Sequence, residues 1–159
     1  MADLWENPMA TDGFEFVEYA APDPEALGAL FTSMGFRPVA KHRSLYRQGD
    51  VNFIVNAEPN SFAQSFARIH GPCACAMAFR VKDAAKAVKR AEELGAWVVP
   101  SDAGPMELNI PAIKGIGDSL IYLVDRYGDK GSIYDVDFLP IEGEERHPEG
   151  TGLTYIDHL

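Results

Sequence analysis

The chain has 159 residues, 47% hydrophobic and 24% charged, the make-up of an ordinary globular domain, and a domain of this length buries roughly 70% of its unfolded surface. Against 24 Asp+Glu stand 14 Lys+Arg, a formal net charge of -10 with no basic cluster, which argues against nucleic acid and anionic membrane surfaces as partners. No run approaches the roughly 18 apolar residues of a membrane span, and Met1-Ala2-Asp3-Leu4-Trp5-Glu6-Asn7-Pro8 has neither the basic nor the apolar region of a leader, so the chain reads as cytoplasmic.

In chain order, residues 14–19 are aromatic and branched and predict a strand. A helix over 24–34 follows. Asp23 is a good N-cap, Pro24 suits the first helical position, Leu27, Leu30, Phe31 and Met34 share one face, and Gly35 stops the helix. Two further strands are predicted over 36–41 and 45–57, the second broken by a turn at Gly49-Asp50. Beyond that turn Val51, Phe53 and Val55 alternate with Asn52, Ile54 and Asn56. The Ser61 and Gln64 capping-box pattern announces a short helix over 61–70. Cys73 and Cys75 are the two cysteines. On one strand face their Cα atoms stand about 7 Å apart, at the outer limit for a bridge, so both read as reduced core thiols.

The pattern then restarts. Residues 74–81 form a strand, Asp83 caps a helix over 84–94 bearing Ala84, Ala87, Val88, Ala91 and Leu94, and Gly95 ends it. With an offset of sixty, Asp23 falls on Asp83, Gly35 on Gly95 and Val39 on Val99, and 49–55 resembles 117–124 after a longer connection. Two βαβββ units, 14–57 and 74–125, fit this pattern, giving an α+β fold of paired modules with helices outside curved mixed sheets. Residues 131–139 predict a tail strand in which Tyr134, Val136 and Phe138 alternate with Asp135 and Asp137, and 142–152, rich in Gly, Pro and charge, reads as a linker. A new apolar segment, 153–159, looks like the first strand of a third unit. It matches 13–20 position for position, which sets His158 against Tyr19, with Phe79 at the comparable place in the second unit.

Four blocks carry a resemblance: Arg47-Gln48-Gly49-Asp50-Val51-Asn52-Phe53, Met77-Ala78-Phe79-Arg80-Val81-Lys82-Asp83-Ala84, residues 104–117 from Gly104-Pro105-Met106 to Gly115-Ile116-Gly117, and Tyr155-Ile156-Asp157-His158. Together they resemble the N-terminal part of bacterial 4-hydroxyphenylpyruvate dioxygenases, over nearly the whole chain. The connection His42-Arg43-Ser44-Leu45 looks a few residues shorter than the family's. The resemblance implies the vicinal oxygen chelate fold, with 1–141 as a first domain, 142–152 as linker and 153–159 as the opening strand of a catalytic second domain. It further implies a non-haem Fe(II) enzyme of tyrosine catabolism that turns 4-hydroxyphenylpyruvate and O2 into homogentisate and CO2. Its iron is held by two histidines and a glutamate. Of those ligands only the first falls in this chain, on His158. The resemblance therefore implies no catalytic residue here, no Fe(II) held by this piece alone, and partners in the form of its own C-terminal domain and further subunits.

The other candidates are weaker. His42, His70 and His147 lie in a turn, a helix end and a linker, at no spacing that makes a metal site, and Asp135 with Asp137 reads as a solvated pair. Gly115-Ile116-Gly117 predicts a tight turn, because Leu120 stands where a dinucleotide fingerprint needs a third glycine. Three readings stay open on sequence: the dioxygenase half, a hydroxymandelate synthase-like relative, and a standalone glyoxalase or bleomycin-resistance type protein. The last would need ligands in its own module cups, where Tyr19 and Phe79 are expected as core.

Overall fold

A computed structural model describes residues 6–41, 43–100 and 108–159. His42, assigned above to a turn, and residues 104–107 of the third resemblance block lie outside that set. The elements run β1 (Thr11–Ala20), α1 (Pro24–Ser33), β2 (Arg37–Lys41), β3 (Ser44–Gln48), β4 (Val51–Val55), α2 (Phe62–His70), β5 (Cys73–Val81), α3 (Ala84–Glu93), β6 (Val98–Val99), β7 (Ala112–Lys114), β8 (Leu120–Val124) and β9 (Leu139–Pro140). No described helix is long and apolar enough to cross a membrane.

The nine strands form one mixed sheet in the order β6-β7-β8-β5-β1-β4-β3-β2-β9. Each βαβββ unit occupies half of it, with β1 parallel to β4, β5 parallel to β8, and β1 antiparallel to β5 at the join. The offset of sixty is structural. Val17 pairs with Phe53 as Met77 pairs with Ile121. Asp23 accepts the Ala26 N–H at 3.0 Å and Asp83 the Lys86 N–H at 3.0 Å. Both helices end alike, with Phe36 N–H bonded to Phe31 O at 3.1 Å and Ala96 N–H to Ala91 O at 3.0 Å. Gly35 and Gly95 both sit at φ 92° in those turns, a conformation that a Cβ would strain.

The side chains of Val51, Phe53 and Val55 turn to α1, where Phe31 meets Phe53 at 5.0 Å and Phe36 stacks on Phe53 at 4.4 Å. The fully buried Phe36 anchors this layer. In the second unit Val81 and Leu123 pack under Ala84 and Ala87 of α3. Helix α2 lies on Ala20 and Cys75 through Ala63 and Ala67, its N-cap Ser61 accepting from Gln64 N–H at 3.2 Å. Cys73 and Cys75 are both free thiols.

One expectation is corrected. Residues 131–139 are not a strand. Ile133 and Tyr134 are buried in succession, whereas neighbours on a strand point to opposite faces; a 3-10 turn over Ile133–Asp135, opened by Ser132 accepting the Tyr134 N–H at 3.1 Å, puts both inward. Pairing is left to β9 alone, against Ala40 and Lys41. Residues 153–159 carry no regular structure in this chain. The stretch read as a linker, 142–152, makes contacts with the first unit. Gly49 N–H donates to Pro148 O at 2.8 Å, Arg47 Nη1 donates to Arg146 O at 2.9 Å, and Gln48 bonds to Thr151 and Leu153.

Candidate functional site

Opposite the helices, the sheet curves into a cup. Strand register fixes which side chains line it. One row across the sheet runs Leu45, Ile54, Glu18, Ala76, Leu120 and Lys114; the next runs Arg47, Asn52, Phe16, Ala78, Tyr122 and Ala112. Ile133, Phe138 and Leu108 close over part of it, leaving a cavity of about 590 Å³.

Tyr19 and Phe79 are not cup residues. Tyr19 pairs with Val55 on the helix-facing side, 5.1 Å from the Phe31 ring, and Phe79 lies beside Leu123 with its ring 4.7 Å from Phe14. Irregular pairing between Phe14 and Phe16 and between Glu18 and Tyr19 shifts the facing of β1. Counting along the sequence therefore chose the wrong face.

Glu18 is the residue that this counting missed. Its side chain is 7% exposed, and Oε1 accepts from Asn56 Nδ2 at 2.7 Å. Burial pushes its carboxyl above the ordinary glutamate range, partly opposed by the Asn56 amide and by Arg43. The charged form is thus disfavoured in the folded state, so the stability that Glu18 contributes is present at acid pH and lost as pH rises through the raised value. Glu18→Gln, which keeps the Asn56 contact without a charge, should remove that loss. Urea unfolding at pH 5 and pH 8 checks it: the stability of the variant relative to the parent should rise between the two.

A second polar group sits in the neighbouring row. Arg47 Nε donates to Asn52 Oδ1 at 2.6 Å, Asn52 Nδ2 donates to Glu15 O at 2.9 Å, and the guanidinium lies 4.8 Å from the centre of the Tyr134 ring. Every partner is satisfied, so this network braces the sheet and offers no open coordination.

The histidines stay apart. His70 packs on Phe66 at 4.2 Å, and His147 Nδ1 lies 3.5 Å from Arg47 Nη1. The side chain of His158 is 87% exposed, with Nδ1 2.7 Å from Asp157 Oδ2. Asp135 pairs with Arg146 at 3.5 Å and Asp137 accepts the Leu108 N–H at 3.0 Å, so the two acids do separate structural tasks. Among the described residues no three His, Cys, Asp or Glu are grouped to hold a metal.

Against known families, residues 5–139 match the one described as hydroxyphenylpyruvate dioxygenase, N-terminal. The chain belongs to that family. A 4-hydroxyphenylpyruvate dioxygenase from Pseudomonas sp. (strain P.J. 874) is 59% identical over 162 residues, covering 99% of this chain and 45% of the relative. A 3-dehydroshikimate dehydratase from Pseudomonas aeruginosa is 40% identical, covering 99% of this chain and 26% of the relative. Among solved structures, a xylose isomerase-like TIM barrel/4-hydroxyphenylpyruvate dioxygenase fusion protein superposes with a TM-score of 0.80 at 38% identity, over 99% of this chain and 25% of that one. The chain thus spans about 45% of the length of its first dioxygenase relative, and its fold is the vicinal oxygen chelate fold of this family.

Proposed function

We propose that this chain is the non-catalytic N-terminal half of a non-haem Fe(II) dioxygenase that converts 4-hydroxyphenylpyruvate and O2 to homogentisate and CO2 in tyrosine catabolism. The observation that carries this is the 59% identity, sustained across the chain, to a 4-hydroxyphenylpyruvate dioxygenase of which the chain covers 45%. The same N-terminal family recurring in a protein named as a dehydratase fits a supporting domain that accompanies different catalytic units. In this reading the domain boundaries stay as set out above, with the catalytic half following residue 152.

His158 is proposed as the chain's one iron ligand, and its surroundings fit that role. Asp157 engages Nδ1, which favours the tautomer that leaves the Nε2 lone pair free, a common arrangement for metal-bound imidazole. One imidazole is too few, so the second histidine and the glutamate come from the other half. Bound there, Fe(II) supplies the open positions that an α-keto acid and dioxygen require. The domain described here contributes a rigid sheet and exposed apolar side chains, including Leu94, Trp97 and Ile116, for packing against its catalytic partner and other subunits.

Titration with Fe(II) or Co(II), an oxygen electrode and product analysis test the assignment. Residues 1–159 alone should bind no stoichiometric metal and consume no oxygen with 4-hydroxyphenylpyruvate. The intact protein should do both and release homogentisate. Tight stoichiometric binding by 1–159, or hydroxymandelate as product, would overturn the corresponding part.

A further inference from the structure

We propose that the N-terminal cup is itself a binding site for a small, uncharged, flat molecule carrying a carbonyl acceptor, separate from the iron chemistry assigned to the other half. The argument starts from the central strand. Every cup-facing position of β5 in the two rows is alanine: Ala76 lies between Glu18 and Leu120, and Ala78 between Phe16 and Tyr122. The floor is therefore low, and larger side chains rise on both sides. The Phe16 and Tyr122 rings stand 5.7 Å apart across Ala78. Side chains that filled this space would close the core at native density, yet about 590 Å³ stays open. That volume lies within the range of roughly 300–1,000 Å³ typical of small-molecule sites.

Polar and charged residues line the opening, Arg43, Asn56, Lys114 and Asp137 among them, and two further groups, Glu18 and Tyr122, make it a site as well as a void. Glu18 is more than nine-tenths buried, and its one side-chain hydrogen bond among the described residues uses Oε1. Glu18 lines the cavity, and its Oε2 has no hydrogen bond among the described residues. Burial favours the protonated acid, and in that form, with Oε1 accepting from Asn56, Oε2 is the oxygen that carries the proton and can donate to a ligand. The Tyr122 hydroxyl likewise has no hydrogen bond to a described residue and lines the cavity, and burial holds it in its protonated, donating form. A buried acid with a spare donor costs stability that a leucine at the same place would not. A carbonyl oxygen accepts from donors of this kind without adding charge, and the aromatic walls suit a planar ring.

The test uses the intact protein and three probes of one size: acetophenone, ethylbenzene, which lacks the acceptor, and benzylammonium, which carries a positive charge. Each is titrated by calorimetry against the parent protein and four variants. Acetophenone should bind saturably at one site per chain and more tightly than either other probe. Glu18→Leu should weaken it by about tenfold, the usual scale of one lost hydrogen bond in a buried site. Glu18→Gln should retain it, since the amide still donates. Ala76→Leu should abolish it by filling the floor, and Tyr122→Phe, which leaves the packing intact, should weaken it even if Ala76→Leu does not fold. Equal acetophenone binding by the parent, Glu18→Leu and Tyr122→Phe, no binding by the parent, or tighter binding of benzylammonium would each overturn the proposal. None of these outcomes bears on the iron assignment, which the metal titration of the intact protein reads separately.

Discussion

His158→Ala in the intact protein should lower metal affinity and turnover together, each by about a hundredfold or more. The scale follows from the coordination argument: loss of a residue that merely orients a ligand already costs roughly 10–100-fold in affinity or activity, and loss of the ligand itself costs more. With His158 gone, the proposed site keeps two protein donors, which hold Fe(II) poorly against water and leave the keto acid without a fixed position. Asp157→Asn provides the graded control, because the amide can accept from Nδ1 but bears no charge to raise imidazole basicity. It should give a smaller fall in affinity than His158→Ala. Co(II) titration followed by absorbance separates affinity from turnover, which an oxygen electrode measures. Full activity of His158→Ala would remove this residue from the site.

Much of this fold is legible from local chemistry, and the places where reading fails share a cause. Asp23, Asp83, Gly35 and Gly95 act through hydrogen bonds and dihedral angles within a few residues of themselves, so their signals survive in the sequence and the two helices end where those signals say. The alternation in 51–56 also holds, with Val51, Phe53 and Val55 toward α1 and Asn52, Ile54 and Asn56 toward the cup. The facing of β1 does not. Both faces of that strand are covered, so Phe16, Val17 and Glu18 are all buried and no polar face marks the parity, while the irregular pairing hides a further shift. Asn56, which alternates with the apolar Val55, was the available clue, since a buried amide needs a partner and Glu18 is the acid in reach. The 131–139 segment fails for a related reason: apolar residues at every second place read as a strand, but here they plug a cup formed by residues far away in sequence.

The segment after β9 shows the same limit and leads to a second large effect. Gly and Pro content marks 142–152 as a connection; what pins it is Gln48, a residue about a hundred positions earlier and fully buried. Its Nε2 donates to Met34 O at 3.2 Å, and its Oε1 accepts from Thr151 N–H, from Thr151 Oγ1 at 2.9 Å and from Leu153 N–H at 3.4 Å. Gly150 lies so close that a Cβ there would collide with the Gln48 side chain, and its φ of 66° disfavours any other residue. Beyond this clamp Ile156 packs against the aromatic cluster under α1, two residues before His158. Gln48→Ala should therefore strand several donors at once. Each costs about 1–3 kcal/mol if kept buried and unpaired, so the cheaper response is for the segment to lift off and take water. Amide exchange measured by mass spectrometry should rise by an order of magnitude or more over 148–154 while β1 and β5 at the sheet centre stay protected. Gly150→Ala should give the same local signature by forcing the same two segments apart from the other side. In the intact protein both variants should weaken metal binding less than His158→Ala does, because they loosen the approach of the ligand and leave the imidazole in place. Unchanged protection of 148–154 in Gln48→Ala would mean that Ile156 and the Pro148 carbonyl hold the segment without the clamp.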